Sequence, residues 1–430
     1  MAEDNDVIVI GAGMAGLTAA RALAEAGRKV LVIEARDRIG GRIWTRHVGY
    51  EAIELGAEFI HGRPPELWAL IKEAGLQAYE REGAQACFED GKLNDCGAEM
   101  EEVFEPLEKL EKWDGPDLTF AEYLDRDQIP LDQGGPMIGY VEGFNAADAR
   151  EVSAASLGVQ QTAEDAIDGG HNYRLRGGYD QLPAYLAERI AACGGRVLTE
   201  SPVSEIQWRP GGAEVITRSG RFNSAQVVVS LPLSILQSGD VAISPPPDNV
   251  VGAWRRLRMG QARRFTLLFR ERFWEHLPPQ PALNELGFLF AFGEMPPVWW
   301  TSHPEPGHTL TGWVGGPRSS TLAGLNEEQL AARACSTLAK IFNISEDEVR
   351  GQLQSCHSHD WRFDPFALGS YSYVAAGGLD ASRQMAEPVA NTVFFAGEHT
   401  DTTGHWGTVH AAMRSGLRAA EQILSGAPQH

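Results

Sequence analysis

The stretch VIVIGAGMAGLTAARALAEAG, Val7–Gly27, decides the fold because it joins a buried strand to a helix through a glycine-rich turn. The unbroken apolar run Val7–Ile10 is typical of a strand that is covered on both faces, as parallel strands are. A second apolar run, VLVIEA at Val30–Ala35, follows the helix. Together these elements predict a βαβ unit and therefore an α/β protein of the Rossmann type.

The turn carries the pattern GxGxxG as Gly11, Gly13 and Gly16. Glycines at these positions allow a tight turn, a close approach of the backbone to a pyrophosphate, and packing of the helix on the strand. Glu34 ends the second strand about twenty residues further on, where a carboxylate accepts the ribose hydroxyls of a dinucleotide. We expect a dinucleotide here, and a glycine turn without a ligand is the alternative.

Two later segments favour FAD over a nicotinamide dinucleotide. EARDRIGGRIWT places Gly40-Gly41-Arg42 just after Glu34, and a guanidinium there is suited to bidentate phosphate binding. Near the end of the chain Glu398 closes VFFAGE, and a helix is expected to begin near Gly407-Thr408-Val409. The free N–H groups of that helix start would face an electron-rich ring or its ribityl chain.

Composition limits the class of partner and the compartment. The chain has 430 residues and a formal net charge of -21, which argues against nucleic acid and leaves room for a cationic small molecule. Five scattered cysteines without a CxxC pair favour a reducing compartment over a disulfide framework. Without a basic leader or a run of about 18 apolar residues, we expect a cytoplasmic protein with no membrane segment.

The same alternation of strands and helices occurs in three separated parts of the chain. It begins at the N-terminus, returns near Arg176 and recurs after residue 368. We therefore predict one discontinuous FAD-binding domain made of residues 1–78, 174–244 and 368–430. An α+β substrate-binding domain of residues 79–173 and 245–367 would be inserted into it.

Six segments resemble the flavin-dependent amine oxidases, the family that includes monoamine oxidases, polyamine oxidases and flavin histone-lysine demethylases. They are IGAGMAGLTAARALAEAG, VIEARDRIGGRIWT, IELGAEFIHG, VVVSLPL, DWRFDPFALGSYSYVAAG and VFFAGEHTDTTGHWGTVHAAMRSGLRAA. The resemblance covers almost the whole chain, and the last two segments are the most specific. It implies that a neutral amine gives a hydride to flavin N5, that water hydrolyses the resulting imine to an aldehyde, and that O2 reoxidises the flavin to give H2O2.

The resemblance also assigns the cofactor contacts. The glycine turn, Glu34, Arg36 and Arg42 would bind the adenosine and pyrophosphate, and Val203 the adenine side. The predicted FAD contacts are Gly11, Gly13, Ala15, Gly16, Glu34, Ala35, Arg36, Gly40, Gly41, Arg42, Gly56, Ala57, Glu58, Phe59, Val203, Gly397, Glu398, Gly407, Thr408 and Val409. Gly369 stands where monoamine oxidases carry the cysteine that bonds the flavin, so the FAD is expected to be noncovalent.

On the substrate side, His61 stands where polyamine oxidases keep a histidine near the substrate, and Glu58 adds a carboxylate. A buried structural histidine is the alternative. L-amino acid oxidases place an arginine where this chain has Phe59. The paired aromatic rings of many relatives are replaced by Ser370 and Thr408. The predicted substrate contacts are Glu58, His61, Trp300, Ser370, Tyr371, His405 and Trp406, although aromatic residues in such strands are more often core.

Several other readings stay open. CHSHDW, Cys356–Trp361, has two histidines on one strand face, but we expect a connecting strand and no metal site. A demethylase is disfavoured because no long helical insertion for a chromatin partner fits. An amine dehydrogenase with another electron acceptor, an enzyme like L-amino acid oxidase, and a noncatalytic FAD-binding protein remain alternatives.

The segment GQARRFTLLFRERFW, Gly260–Trp274, reads as a half-buried strand over Phe265–Phe269 with two arginines at its head. Solvated charges at a strand end are the simple explanation. In most of the family a lysine at this spacing holds a water against flavin N5, and here Arg264 stands in its place. No lysine occurs between Lys112 and Lys340. Arg264 is therefore our candidate for the residue that governs reaction with oxygen. The alternative is that arginine has replaced the lysine only because the chain is rich in arginine, and that it keeps the lysine's role.

Overall fold

The computed structural model describes residues 5–96, 107–126, 129, 135–277 and 283–426. In chain order its strands are β1 (Asn5–Ile10), β2 (Val30–Ile33), β3 (Thr45–Val48), β4 (Glu51–Glu54), β5 (Ile60–His61), β6 (Ala78–Glu80), β7 (Ala84–Glu89), β8 (Lys92–Asp95), β9 (Asn172–Leu175), β10 (Arg196–Leu198), β11 (Val203–Arg209), β12 (Gly212–Thr217), β13 (Gly220–Val229), β14 (Ala242–Ser244), β15 (Leu257–Met259), β16 (Ala262–Phe269), β17 (Leu286–Phe290), β18 (Val298–Thr301), β19 (Thr309–Gly315), β20 (Leu353–Ser358), β21 (Ser372–Val374) and β22 (Val393–Phe395).

The helices connect these strands and cover their faces. They are α1 (Met14–Glu25), α2 (Pro65–Glu73), α3 (Phe120–Arg126), α4 (Gly135–Asn145), α5 (Ala154–Asp165), α6 (Gln181–Ala192), α7 (Leu233–Ser238), α8 (Asp248–Trp254), α9 (Glu327–Phe342), α10 (Glu346–Gln352), α11 (Ala381–Met385) and α12 (Val409–Ser425), with short 3-10 helices at Phe273–His276, Pro317–Leu322 and Glu398–Thr400.

The larger sheet contains the predicted βαβ unit. Its strand order is β10-β2-β1-β13-β12-β11-β14, with β22 beside β13. β1 runs parallel to both β2 and β13, whereas β11, β12 and β13 form an antiparallel meander. The expected α/β architecture with a parallel central sheet is confirmed.

Helices α1, α6 and α12 cover one face of this sheet. Their apolar residues form one core with Val7, Val9 and Val32 of the sheet. α1 and α12 come into close contact at Gly416, where a Cβ would lie 2.3 Å from the Ala15 carbonyl oxygen. The C-terminal helix is thereby held next to the glycine turn at the start of α1.

The second sheet has the order β20-β16-β19-β18-β17-β7-β8, and α9 and α10 share its apolar core. All of its strands fall within residues 79–173 and 245–367, and all strands of the larger sheet fall within 1–78, 174–244 and 368–430. This distribution agrees with the proposed boundaries, and the division into two domains stays a prediction.

The strand around Phe265–Phe269 differs from the expectation. β16 begins at Ala262 and all eight of its residues are buried, including Arg263 and Arg264. It lies inside the sheet, hydrogen-bonded to β19 on one side and β20 on the other. The interpretation of the two arginines as solvated charges at a strand end is therefore wrong, because both are buried and each has acceptors inside the protein.

The expectation for the cysteines also needs correction. Cys87 of β7 and Cys96, which follows β8, form a disulfide across the hairpin. Cys193, Cys335 and Cys356 are free thiols. The spacing of this pair has no motif, and the pairing arises only because the two strands are neighbours. In the described ranges, no helix combines the length and apolar character needed to cross a membrane.

Candidate functional site

A cavity of about 1030 Å³ begins at the carboxyl ends of β1, β2 and β13 and continues to the wall formed by β17, β18 and α5. Ile10, Glu34 and Ser230 mark where the three parallel strands reach it. Ligands of open α/β sheets bind at this edge, where successive connections leave the sheet on opposite sides.

The glycine turn has the geometry that a diphosphate requires. Gly11 has φ +100, and a Cβ on Gly16 would lie only 2.0 Å from the Gly11 carbonyl oxygen. Gly13 is the N-cap of α1, has no side-chain cap, and lines the cavity together with Ala15. The free N–H groups at this helix start are a binding site for an anion.

Glu34 lies at the end of β2 with its carboxylate fixed by the backbone. It accepts hydrogen bonds from the N–H groups of Ala12 at 2.7 Å and Arg36 at 2.9 Å. The Arg36 guanidinium pairs with Asp364 at 2.5 Å. Since each carboxylate oxygen has two acceptor positions, Glu34 retains capacity for ribose hydroxyls.

Glu398 is the second fixed carboxylate of the cavity. It accepts hydrogen bonds from Arg42 at 2.9 Å, from the Ser372 hydroxyl and from the Gly407 N–H at 3.1 Å. Burial alone would raise the pKa of Glu398, but the Arg42 guanidinium, His399 and the Ser372 hydroxyl outweigh burial and lower it. The Arg42–Glu398 pair ties the loop after β2 to the start of α12.

α12 begins as predicted, with Thr408 as its N-cap. The Thr408 hydroxyl accepts the Ala411 N–H at 3.2 Å and donates to the His405 carbonyl at 2.8 Å. The hydroxyl thus fixes the helix start rather than reaching into the cavity. Gly407, Thr408 and Val409 all line the cavity.

Most of the residues predicted from sequence lie on this one surface. The cofactor candidates that line the cavity are Gly11, Gly13, Ala15, Glu34, Ala35, Arg36, Gly40, Gly41, Arg42, Gly56, Ala57, Glu58, Phe59, Val203, Gly397, Glu398, Gly407, Thr408 and Val409, and the substrate-side candidates are Glu58, His61, Trp300, Ser370, Tyr371, Trp406 and Arg264. Gly16 packs against the turn behind the surface.

His405 requires a correction. It was expected among the substrate contacts, but it is not among the residues that line the cavity. His405 Nε2 donates to the Ala163 carbonyl at 2.9 Å, and its Nδ1 accepts from Arg414 at 2.8 Å. Both ring nitrogens serve the packing of α12 on α5.

Arg264 and Glu58 close the inner end of the cavity. Arg264 Nη2 donates to Glu58 Oε2 at 2.6 Å and Nη1 donates to the Gly56 carbonyl at 2.8 Å. Glu58 also pairs with Arg174 and accepts from Trp300 Nε1 at 3.2 Å. Burial alone would raise the pKa of Glu58, but Arg174 and Arg264 lower it. The Glu58 carboxylate is thus charged, but its partners leave it unsuited to receive an amine.

His61 lies beside this end and lines the cavity. Burial lowers its pKa to about 4, although a hydrogen bond to Asn172 raises it in part. The ring is therefore neutral at pH 7. Its neighbours are Phe59 at 6.3 Å and Phe144 at 5.5 Å between ring centroids, so His61 belongs to an aromatic wall.

Sequence reasoning missed several lining residues. Phe288, Phe290 and Phe292 stack at centroid distances of 5.8 and 5.7 Å along one face of β17 and its extension. Their spacing of two in GFLFAF was a usable signal. Tyr140 and Phe144 stack four residues apart on α4. Glu164 of α5 also lines the cavity, and nothing in its local sequence marks it.

The histidines of CHSHDW have other partners. His357 contacts Arg46 and Ser355, and His359 Nε2 lies 2.9 Å from Asp364. In the described part of the chain, one group of three potential metal ligands lies close together, namely Glu164, His405 and His410. Since His405 already uses both of its ring nitrogens, this group does not offer three free ligand atoms.

The residues present fit a flavin dinucleotide. One continuous surface carries four features: a turn too tight for side chains, a free helix start, a fixed carboxylate for ribose, and a second helix start at Thr408. A nicotinamide dinucleotide has no need of the second helix start or the Arg42–Glu398 pair.

Comparison with known proteins also indicates a flavoprotein. The family model described as flavin containing amine oxidoreductase matches residues 14–134 and 128–424. Polyamine oxidase 3 of Oryza sativa subsp. japonica is 30% identical over 96% of this chain and 88% of its own length. Lysine-specific histone demethylase 1 homolog 2 of Arabidopsis thaliana is 30% identical over 98% of this chain, which spans only 58% of that relative.

Solved structures show the same fold. A putrescine oxidase bound to putrescine superposes with a TM-score of 0.84 at 22% identity, covering 98% of this chain and 99% of that one. A cyclohexylamine oxidase from Brevibacterium oxydans gives a TM-score of 0.84 at 23% identity, with 99% of each chain covered.

Proposed function

Because the chain belongs to the flavin containing amine oxidoreductase family, we propose that it binds FAD noncovalently and oxidises a small cationic amine to an imine, which water converts to an aldehyde. The observation that carries the proposal is one continuous cavity, in which a dinucleotide cradle leads into an aromatic chamber that ends at Arg264 and Glu58. O2 is the proposed electron acceptor, and H2O2 its product.

The chain contributes binding and orientation. Bound FAD would supply the acceptor for the two electrons and the hydrogen of the C–H bond next to the amine nitrogen. Phe59, Trp300 and Tyr371 provide apolar walls that exclude water from the reacting amine. Neutral His61 is able to accept a hydrogen bond from an amine N–H, because burial keeps its pKa at about 4.

The surroundings of Gly369 support noncovalent binding. It has φ +152, and a Cβ there would lie 2.3 Å from the Met259 side chain, so the position has neither a thiol nor room for one. We expect acid precipitation of the purified yellow protein to release all of its flavin into the supernatant. Flavin absorbance that stays in the washed pellet would contradict this.

The substrate preference follows from the charges of the chamber. A substrate carboxylate needs a cation whose donors are free toward the chamber, but Phe59 carries no charge and the Arg264 guanidinium already donates to Glu58 at 2.6 Å and to the Gly56 carbonyl at 2.8 Å. We expect amines without an α-carboxylate to reduce the flavin at least about tenfold faster than L-amino acids. The measurement is the anaerobic reduction rate with polyamines, arylalkylamines and common L-amino acids, and a faster L-amino acid would refute the preference.

A further inference from the structure

A short strap of irregular chain lies between β20 and β21 along the wall of the cavity. It comprises residues 361–369, which form no helix or strand. Its ends are joined by the Gly369 N–H, which donates to the Trp361 carbonyl at 2.8 Å. Trp361, Pro365, Phe366 and Ala367 line the cavity, so the strap is part of the surface that a bound dinucleotide would meet.

The strap is tied to the segments that carry the cofactor candidates. Trp361 Nε1 donates at 2.8 Å to the carbonyl of Leu55, which directly precedes Gly56. Arg36 Nη2, from the loop after β2, donates to Asp364 Oδ1 at 2.5 Å. The first bond joins neutral groups, whereas the second is an ion pair between side chains that are 12% and 7% exposed. Breaking such a buried pair leaves a charge without a counterion.

Asp364 is the centre of the strap. Its Oδ1 atom also accepts the Phe366 N–H at 2.9 Å, and its Oδ2 atom lies 2.9 Å from His359 Nε2. Burial alone would raise the pKa of Asp364, but His359, the Arg36 guanidinium and the Phe366 N–H outweigh burial and lower it. The carboxylate is therefore charged at pH 7. It is not among the residues that line the cavity, so it acts on a cofactor only through another side chain.

The Arg36 guanidinium has two carboxylates within reach. Asp364 holds Nη2, and Nη1 lies 3.8 Å from Glu34 Oε1. The centroid of the Phe366 ring lies 5.4 Å from the same guanidinium. Glu34 already accepts the Ala12 and Arg36 N–H groups, and its remaining acceptor positions are those that ribose hydroxyls need. Without Asp364, the Arg36 guanidinium would turn to Glu34 and occupy them.

We propose that Asp364 is a positioning residue for FAD, because it holds the Arg36 guanidinium away from Glu34 and closes the strap, and thereby keeps the cofactor bound. The inference rests on the FAD binding of the proposed function and adds a residue that does not line the cavity. Loss of the Asp364 charge is thus expected to loosen FAD. If Arg36 served only as a free cation for the diphosphate, the same change would tighten FAD.

Asp364→Asn keeps the shape of the side chain and removes its charge. We expect FAD to leave this variant about tenfold or more faster than it leaves the unmodified protein, because a charge-assisted hydrogen bond is lost and Glu34 is occupied. Flavin-loaded protein is diluted into buffer without FAD, and the flavin that stays bound is measured over time after rapid gel filtration. In the flavin-loaded fraction, the rate constant for anaerobic reduction by saturating amine is expected to change less than about twofold.

Two further variants distinguish positioning from a general loss of structure. Asp360→Asn is the matched control, because Asp360 directly precedes the strap and pairs with Arg263 at 3.4 Å, but neither residue lines the cavity. It is expected to leave FAD release unchanged. Arg36→Gln removes the guanidinium that Asp364 holds, so the addition of Asp364→Asn to it is expected to change release less than about twofold further.

The outcomes separate this inference from the proposed function. Release from Asp364→Asn at the original rate or more slowly, an equal acceleration in Asp360→Asn, or a full further acceleration in the Arg36→Gln background would each overturn the role of Asp364. So would an Asp364→Asn chain that circular dichroism shows to be unfolded, since the role would then be structural. In all these cases, FAD that is bound to the unmodified protein and reduced by amines leaves the proposed function standing. A purified protein that binds no FAD would overturn the proposed function itself.

Discussion

Replacing Gly16 with alanine is expected to leave the protein without bound flavin. A Cβ at this position would lie 2.0 Å from the carbonyl oxygen of Gly11 in the glycine turn and 2.7 Å from the hydroxyl of Ser230, which directly follows β13. The backbone cannot relieve an overlap of this size by a local shift, so α1 or the turn must move. The N–H groups at the start of the helix would then lose their position. We expect flavin content to fall at least about tenfold.

The measurement is flavin per polypeptide after purification and after incubation with excess FAD, read from visible absorbance. Gly252→Ala is the matched control, because Gly252 lies within α8 and a Cβ there meets no atom within 4 Å. The control should keep its flavin. Circular dichroism distinguishes a folded chain without flavin from an unfolded one, and a Gly16→Ala protein with full flavin content would refute the role of the turn.

Replacing Arg264 with lysine is expected to speed reoxidation of the reduced flavin by O2 about tenfold or more. Arg264 is fixed at both ends of its guanidinium, by Glu58 at 2.6 Å and by the Gly56 carbonyl at 2.8 Å. A planar group held in this way keeps its remaining donors, including the Nε–H that has no partner among the described residues, in fixed directions. A lysine ammonium is a compact charge with three donors, so it can hold Glu58 and still orient one water.

Stopped-flow kinetics measures reduction by amine and reoxidation by O2 separately. Arg263→Lys is the matched control: Arg263 is the neighbouring buried arginine of β16, but it donates to the Leu325 carbonyl and pairs with Asp360 at 3.4 Å. The control should leave reoxidation unchanged. If Arg264→Lys reoxidises at the original rate or more slowly, with fold and flavin intact, then Arg264 does not limit the use of oxygen.

The cofactor side of the protein could be predicted well from sequence because its signals are local. The GxGxxG turn, the carboxylate that ends the second strand and the helix start at Thr408 each occupy a few consecutive residues with fixed backbone requirements. Short-range patterns of this kind determine backbone geometry, and that geometry determines where N–H groups point.

The substrate side could not be predicted in the same way because its partners are distant in sequence. Glu58 is paired with Arg264 and Arg174, which meet it only because β16 and β9 lie next to the loop before β5. The sequence shows that Arg263 and Arg264 are charged, but not that both have buried acceptors. Glu164 is one acidic residue among many, and only the fold shows that its Oε1 atom has no hydrogen-bond partner among the described residues.

Anaerobic reduction of the bound flavin by amines tests the central claim most directly. The purified protein is made free of oxygen, and a diamine, an arylalkylamine or an L-amino acid is added while the absorbance of oxidised flavin is followed. We predict complete bleaching with one equivalent of the best amine, formation of the corresponding aldehyde in equal amount, and recovery of the yellow colour when O2 is admitted. A flavin that stays oxidised with every amine, or that an L-amino acid bleaches fastest, would contradict the proposed function.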